Sequence, residues 1–171
     1  MIWATRGGVV IGLILLIWHL IEWWPGVQAF RGKKAKPLQH VGALLPFFYG
    51  WAYGALGILA VMGLIGMAFD TALWAANWLG DALGWLGVGE SPGQASKGVT
   101  VPLTSDGNWM VLILLFVTVA IIKFRPYGID VKRGMGSGLC LGTSAGVAGL
   151  TAVPLAQGVN ALGGIVFGAV G

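Results

Sequence analysis

The chain has 171 residues, of which 57% are hydrophobic and 9% are charged, and its formal net charge is +4. A soluble domain carries about 25% charged residues, so this composition excludes a protein that covers its surface with charge and indicates an integral membrane protein. The single cysteine, Cys140, excludes an intrachain disulfide and a cysteine-based metal cluster.

Three uncharged runs reach or nearly reach the length of roughly 20 helical residues that crosses a hydrocarbon core. They are 7–21, which extends to 24 if Glu22 lies at the interface, then 41–69, and the shorter 109–122. The second run is too long for one upright helix, so we expect it to tilt, protrude or bend. The sequence IEWWPG after the first run contains no small-x-small cleavage site. We therefore interpret the first run as a membrane anchor.

The basic residues predict the orientation in the membrane. Most of them lie in two segments, one between the first two runs and one after the third. These residues are Arg31, Lys33, Lys34, Lys36, Lys123, Arg125, Lys132 and Arg133. The positive-inside rule places both segments in the cytoplasm and the amino terminus outside, in a bacterial inner membrane or a virion membrane. Such cations also bind anionic lipids, but without interleaved aromatic residues they do not predict specific nucleic-acid binding.

The segment between the second and third runs predicts an amphipathic helix over 70–87. A helical projection brings Asp70, Asn77 and Asp81 to one side, with leucines opposite. Three tryptophans border the two faces: Trp74, Trp78 and Trp85. Two interpretations stay open, a helix anchored in the membrane interface and a helix packed on the outer surface of the protein. Residues 88–108 are rich in Gly, Ser and Pro and predict a flexible exposed loop.

Glycine recurs at every fourth position in the C-terminal sequence GMGSGLCLGTSAGVAGL. Glycine costs about 1 kcal/mol of helix propensity relative to alanine, but at this spacing it lets helices approach closely within lipid. We predict helix-packing or oligomerisation faces, with the glycines of the second run as a candidate receiving surface. The set comprises Gly134, Gly138, Gly142, Gly146, Gly164, Gly168, Gly50, Gly54 and Gly57.

The uncharged stretch 134–171 would form a straight helix nearly twice as long as the hydrocarbon core is thick. We expect a break at Pro154, which places the tip of a helical hairpin at 151–154. The sequence thus predicts an all-α polytopic membrane protein with about five transmembrane helices, three in 1–133 and a Gly/Ala-rich hairpin in 134–171. The alternative is one kinked C-terminal span that leaves the carboxyl terminus outside.

No catalytic or cofactor motif is present, because the sequence contains no GxSxG, HExxH or Walker loop. His19 and Glu22 share a helix face, but they supply at most two metal ligands and are expected to reach water. We predict a non-enzymatic protein without cofactors that forms homo-oligomers and builds or anchors a larger membrane complex. Its composition resembles that of small membrane proteins from plasmids, phages and conjugative elements. An oligomeric pore is the alternative, ahead of a transporter or membrane enzyme.

Overall fold

The computed structural model describes residues 3–28, 37–60, 63–89, 91, 93–95, 101–144 and 147–170. Apart from isolated bridge residues at Thr5, Gln94 and Ser144, the regular structure in these residues is helical, which confirms the predicted all-α class. The helices are α1 (Arg6–Gln28), α2 (Pro37–Gly57), α3 (Gly63–Val88), α4 (Ser105–Phe124), α5 (Gly128–Leu141) and α6 (Val147–Val170).

Within the described residues, three helices are long and apolar enough to cross a membrane. The spans are Arg6–Trp24 in α1, Ser105–Phe124 in α4 and Thr151–Ala169 in α6. This supports the prediction of a membrane protein with transmembrane helices. The finer count of about five spans stays a prediction.

The long uncharged run 41–69 bends so sharply that it forms two helices. α2 ends at Gly57 and α3 begins at Gly63, whose φ of +83° lies in the left-handed region. Glycine adopts this conformation without the steric cost that a Cβ atom brings. The run was expected to tilt, protrude or bend, and in the structure it bends.

The C-terminal break lies earlier than the sequence predicted. α5 ends at Leu141, Gly142 and Thr143 form a turn, and α6 begins at Val147. The predicted tip at 151–154 is wrong, because α6 continues through Pro154. Proline removes one helical hydrogen bond, but transmembrane helices tolerate it where neighbouring groups satisfy the freed backbone atoms.

α2 and α5 form the central pair of the bundle and run parallel. Successive contacts along both helices show the direction: Phe47 with Gly134, Trp51 with Gly138, and Ala55 with Gly142. α1 packs antiparallel to α5, with Gly12 against Cys140 and Leu15 against Gly136. α4 and α6 contact each other and α2, and α3 packs mainly on α1.

Four basic side chains mark one end of the bundle, which we call the basic end. It contains the carboxyl ends of α1 and α4 and the amino ends of α2 and α5. Its described cations are Lys123, Arg125, Lys132 and Arg133. The other four cations of the sequence prediction, Arg31, Lys33, Lys34 and Lys36, lie outside the described residues. Which side of the membrane this end faces stays a prediction.

The bundle places polar side chains inside and large apolar side chains outside. Asn77, Thr118 and Ser137 are buried, whereas Leu64 is 85% exposed and Phe116 is 70% exposed. Soluble proteins rarely expose large contiguous apolar patches. In lipid this arrangement is favourable, because the tails solvate apolar side chains while polar groups need partners within the protein.

Candidate functional site

The glycines of α2 and α5 face each other across the central helix pair. A Cβ atom at these positions would lie closer than 3.0 Å to a backbone atom of the opposite helix, a separation that real Cβ atoms essentially never show. The pairs are Gly134 with Phe47, Gly138 with Trp51, Gly50 with Val131 and Gly54 with Met135. The backbones of the two helices therefore touch, as small residues at a spacing of four permit.

The remaining predicted glycines have different surroundings. Gly142 packs on Ala55 of α2, and Gly57 packs on the ring of Phe69 in α3. Gly164 and Gly168 of α6 face open space, since a Cβ atom at either position would have no neighbour within 4 Å. Gly146 lies outside the described residues. The predicted set thus divides into glycines that pack inside the chain and glycines that lie on its open surface.

A second close helix contact, between α1 and α3, was missed by the sequence analysis. Gly7 lies directly on Gly80, and Gly8 lies on the side chain of Asn77. A Cβ atom at any of these three glycines would collide with α3 or α1. The signal available in the sequence was the adjacent pair Gly7 and Gly8, with Gly12 four residues after Gly8.

Polar side chains of α3 bind the amino terminus of α1. The first N–H groups of a helix have no partner within that helix. Here the Thr5 N–H donates to Asn77 Oδ1 at 3.0 Å, and the Gly7 N–H donates to Asp81 Oδ1 at 3.2 Å. The Asn77 amide also donates to the Trp3 carbonyl oxygen at 2.9 Å.

Two further acceptors complete this cap. The Arg6 N–H donates to the Gly93 carbonyl oxygen at 2.9 Å, and the Gly8 N–H donates to Thr5 Oγ1 at 3.1 Å. Four successive backbone donors, those of residues 5–8 at the start of α1, are therefore satisfied by groups outside the helix body. The predicted polar side of 70–87 thus directs Asn77 and Asp81 towards α1.

The three tryptophans predicted as interfacial anchors are exposed on the outer side of α3. These are Trp74, Trp78 and Trp85. Trp74 and Trp78 flank Asn77 in the helix, and Asn77 contacts the start of α1, so both indole rings lie near one end of the α1 span. Indole rings favour the membrane–water interface. Their position is compatible with interfacial anchoring, which stays a prediction.

Polar side chains link the helices and the segments beside them. The Ser137 hydroxyl of α5 donates to the Gly12 carbonyl oxygen of α1 at 2.9 Å, and Thr143 Oγ1 accepts from the Ala4 N–H at 3.2 Å. On α6, Asn160 Oδ1 accepts from the Thr104 N–H at 2.9 Å. These three side chains were among the few polar residues available to line a pore, and the structure uses them between helices.

At the basic end, ionisable side chains of α1 and α5 meet. The His19 ring is 5% exposed and stacks on Phe47 with ring centroids 4.2 Å apart. Its Nδ1 lies 3.7 Å from Asp130 Oδ1. Glu22 is exposed and forms an ion pair with Arg133. The sequence expectation that His19 reaches water is therefore wrong, because α2 and α5 cover its ring.

These groups do not form a metal cluster. Within the described part of the chain, no three His, Cys, Asp or Glu side chains converge so that they could hold an ion. The site therefore consists of helix contacts, a cap and a charged end. Comparisons with protein-family models, with curated proteins and with solved structures find no match for this chain.

Proposed function

We propose that this protein is a self-associating membrane subunit that builds or anchors a larger membrane complex, and that α6 supplies its association surface. The observation that carries the proposal is the open C-terminal part of α6. After Gly163, every described residue is exposed except Phe167, which is half-buried. Ile165 is 68% exposed, and Gly164 and Gly168 have open space around them.

The α5 glycines do not support self-association, because α2 already occupies their face. Gly134 and Gly138 lie against carbonyl groups of α2, so a second chain has no access to them. On α6, by contrast, Asn160 and Gly163 pack at the amino end of α4, and the described residues after Gly163 are exposed apart from the half-buried Phe167. The proposal therefore places the association surface beyond Gly163.

The way helices associate in lipid favours this surface as a site where a second helix docks. Apolar burial gives little drive for helix association in lipid, so close van der Waals packing must supply it. Gly164 and Gly168 lie one helical turn apart and have no side chains, so a second helix can approach the α6 backbone there. A second copy of the chain provides the same open face and would complete a symmetric contact.

We expect Gly164→Leu combined with Gly168→Leu to lower self-association in native membranes about tenfold, as a loss of about 1.4 kcal/mol in close packing would produce. The measurement is oxidative cross-linking through cysteine placed at Ile165, whose side chain is exposed. The native Cys140 is buried and is not expected to compete for cross-linking.

Gly87→Leu on α3 is the matched control, because this glycine also has no neighbour within 4 Å but lies on another helix. Cross-linking that is equally strong in the α6 variant and the control would contradict the proposed surface. Release of a dye from liposomes by the purified protein would instead favour the pore, and we expect none.

A further inference from the structure

A cleft opens between α2 and α4 at the basic end and has a volume of 770 Å³. Leu45 and Pro46 of α2 form one wall, Ile121 of α4 forms the other, and Val131 of α5 forms the floor. The volume lies within the range of about 300–1,000 Å³ that is typical of small-molecule sites.

One end of the cleft is bounded by Tyr49, and the other end is polar. The Tyr49 hydroxyl is hydrogen-bonded to Thr118 Oγ1 at 3.0 Å and joins α2 to α4. At the opposite end, Arg125 and Tyr127 in the link between α4 and α5 line the opening. Both side chains are exposed, so the polar end is accessible to a ligand.

The apolar side of the cleft is continuous with the outer surface of α2. Leu45 lines the cleft and is exposed, and Phe48, one turn along the same helix, is also exposed. In a bilayer such side chains contact acyl chains. A hydrocarbon chain can therefore enter the cleft from the side without crossing water.

The charges favour an anion at the polar end. Besides Arg125, the described cations of this end are Lys123, Lys132 and Arg133, of which Arg133 is paired with Glu22. Asp130 also lines the cleft, but its Oδ1 lies 3.7 Å from His19 Nδ1 on α1. Asp130 is half-buried, whereas Arg125 is exposed and always charged, so Arg125 is the more accessible charge at the polar end.

We propose that this cleft binds one anionic phospholipid, with its phosphate on Arg125 and an acyl chain between α2 and α4. A guanidinium group binds phosphate through two parallel hydrogen bonds, and the Tyr127 hydroxyl supplies a further donor. The walls of Leu45, Pro46 and Ile121 contact the acyl chain. Lipid binding at this site does not depend on self-association, so the inference goes beyond the proposed function.

The test reconstitutes the full chain into lipid nanodiscs of phosphatidylcholine with a minor fraction of phosphatidylglycerol. After mild detergent extraction, native mass spectrometry counts the phosphatidylglycerol molecules that stay on the protein. We expect Arg125→Gln to lower this retention about tenfold, because it removes the charge-assisted hydrogen bonds to phosphate. Lys123→Gln is the control, since it removes the same charge from the same end without lining the cleft.

A second variant tests the cleft independently of charge. Gly42 lines the cleft and has no neighbour within 4 Å of a Cβ position, so Gly42→Trp is expected to fill the space and to lower retention. Gly87→Trp on the open surface of α3 is its control. The proposal is overturned if Arg125→Gln and Lys123→Gln lower retention equally, if Gly42→Trp leaves retention unchanged, or if phosphatidylcholine is retained as strongly as phosphatidylglycerol.

Discussion

Gly138→Leu is expected to prevent the chain from accumulating as a folded protein. A Cβ atom at this position would collide with the carbonyl group of Trp51 in α2, and backbone atoms cannot move aside as a flexible side chain can. Overpacking a core costs about 1–3 kcal/mol, and more where the backbone must shift. We expect a loss at or above the upper value, a large fraction of the total stability of a domain, which is about 5–15 kcal/mol.

The measurement is the amount of protein in the membrane, together with the temperature at which the detergent-solubilised chain loses its monodisperse elution peak. Gly87→Leu is the matched control, because it makes the same chemical change where a Cβ atom has no neighbour within 4 Å. We expect this control to fold normally. If Gly138→Leu unfolds at the same temperature as the wild type, the direct backbone contact between α2 and α5 is contradicted.

The sequence predicts which residues share a helix face more reliably than it predicts which helix packs on that face. A spacing of four is a local property of the chain, so the sequence alone assigns Gly134 and Gly138 to one helix face. Local spacing does not show what covers that face. The structure shows α2 on the α5 face and open space at Gly164, a difference that depends on how distant segments pack.

The amphipathic segment shows the same limit. A helical projection places Asn77 and Asp81 on one side but does not show whether that side meets water or protein. Because lipid supplies no hydrogen-bond partners, polar atoms in a membrane protein seek backbone groups at helix ends. In the structure these two side chains accept hydrogen bonds from backbone N–H groups at the start of α1. Only the three-dimensional arrangement shows that this helix end lies beside Asn77 and Asp81.

Helix breaks were predicted from the wrong residue type. Pro154 was expected to end a helix, yet α6 continues through it, whereas α3 begins at Gly63, which has a positive φ. Proline removes one hydrogen bond, a cost that packing can offset. A positive φ, by contrast, changes the direction of the chain. The sequence contains many glycines and does not show which of them adopts a positive φ.

The cap on α1 gives the second large prediction. Asn77 is 6% exposed, and its side chain satisfies the Thr5 N–H and the Trp3 carbonyl oxygen. Asn77→Ala would remove the side-chain partner of these two part-buried backbone groups, at a cost of about 1–3 kcal/mol each. We therefore expect a loss of about 3 kcal/mol in the free energy of unfolding, concentrated where α1 joins α3.

Hydrogen exchange distinguishes this local effect from general destabilisation. The amides of residues 5–8 are expected to exchange about a hundredfold faster in Asn77→Ala, because opening this end costs less once the link to α3 is lost. Thr71→Ala is the control on the same helix, since the Thr71 hydroxyl donates only to the Met67 carbonyl oxygen of α3 itself at 2.8 Å. Protection of residues 5–8 that is unchanged in Asn77→Ala would mean that the Asn77 side chain does not hold the start of α1. The α2–α5 contact contains none of the groups that Asn77 binds, so its amides should keep more of their protection in either case.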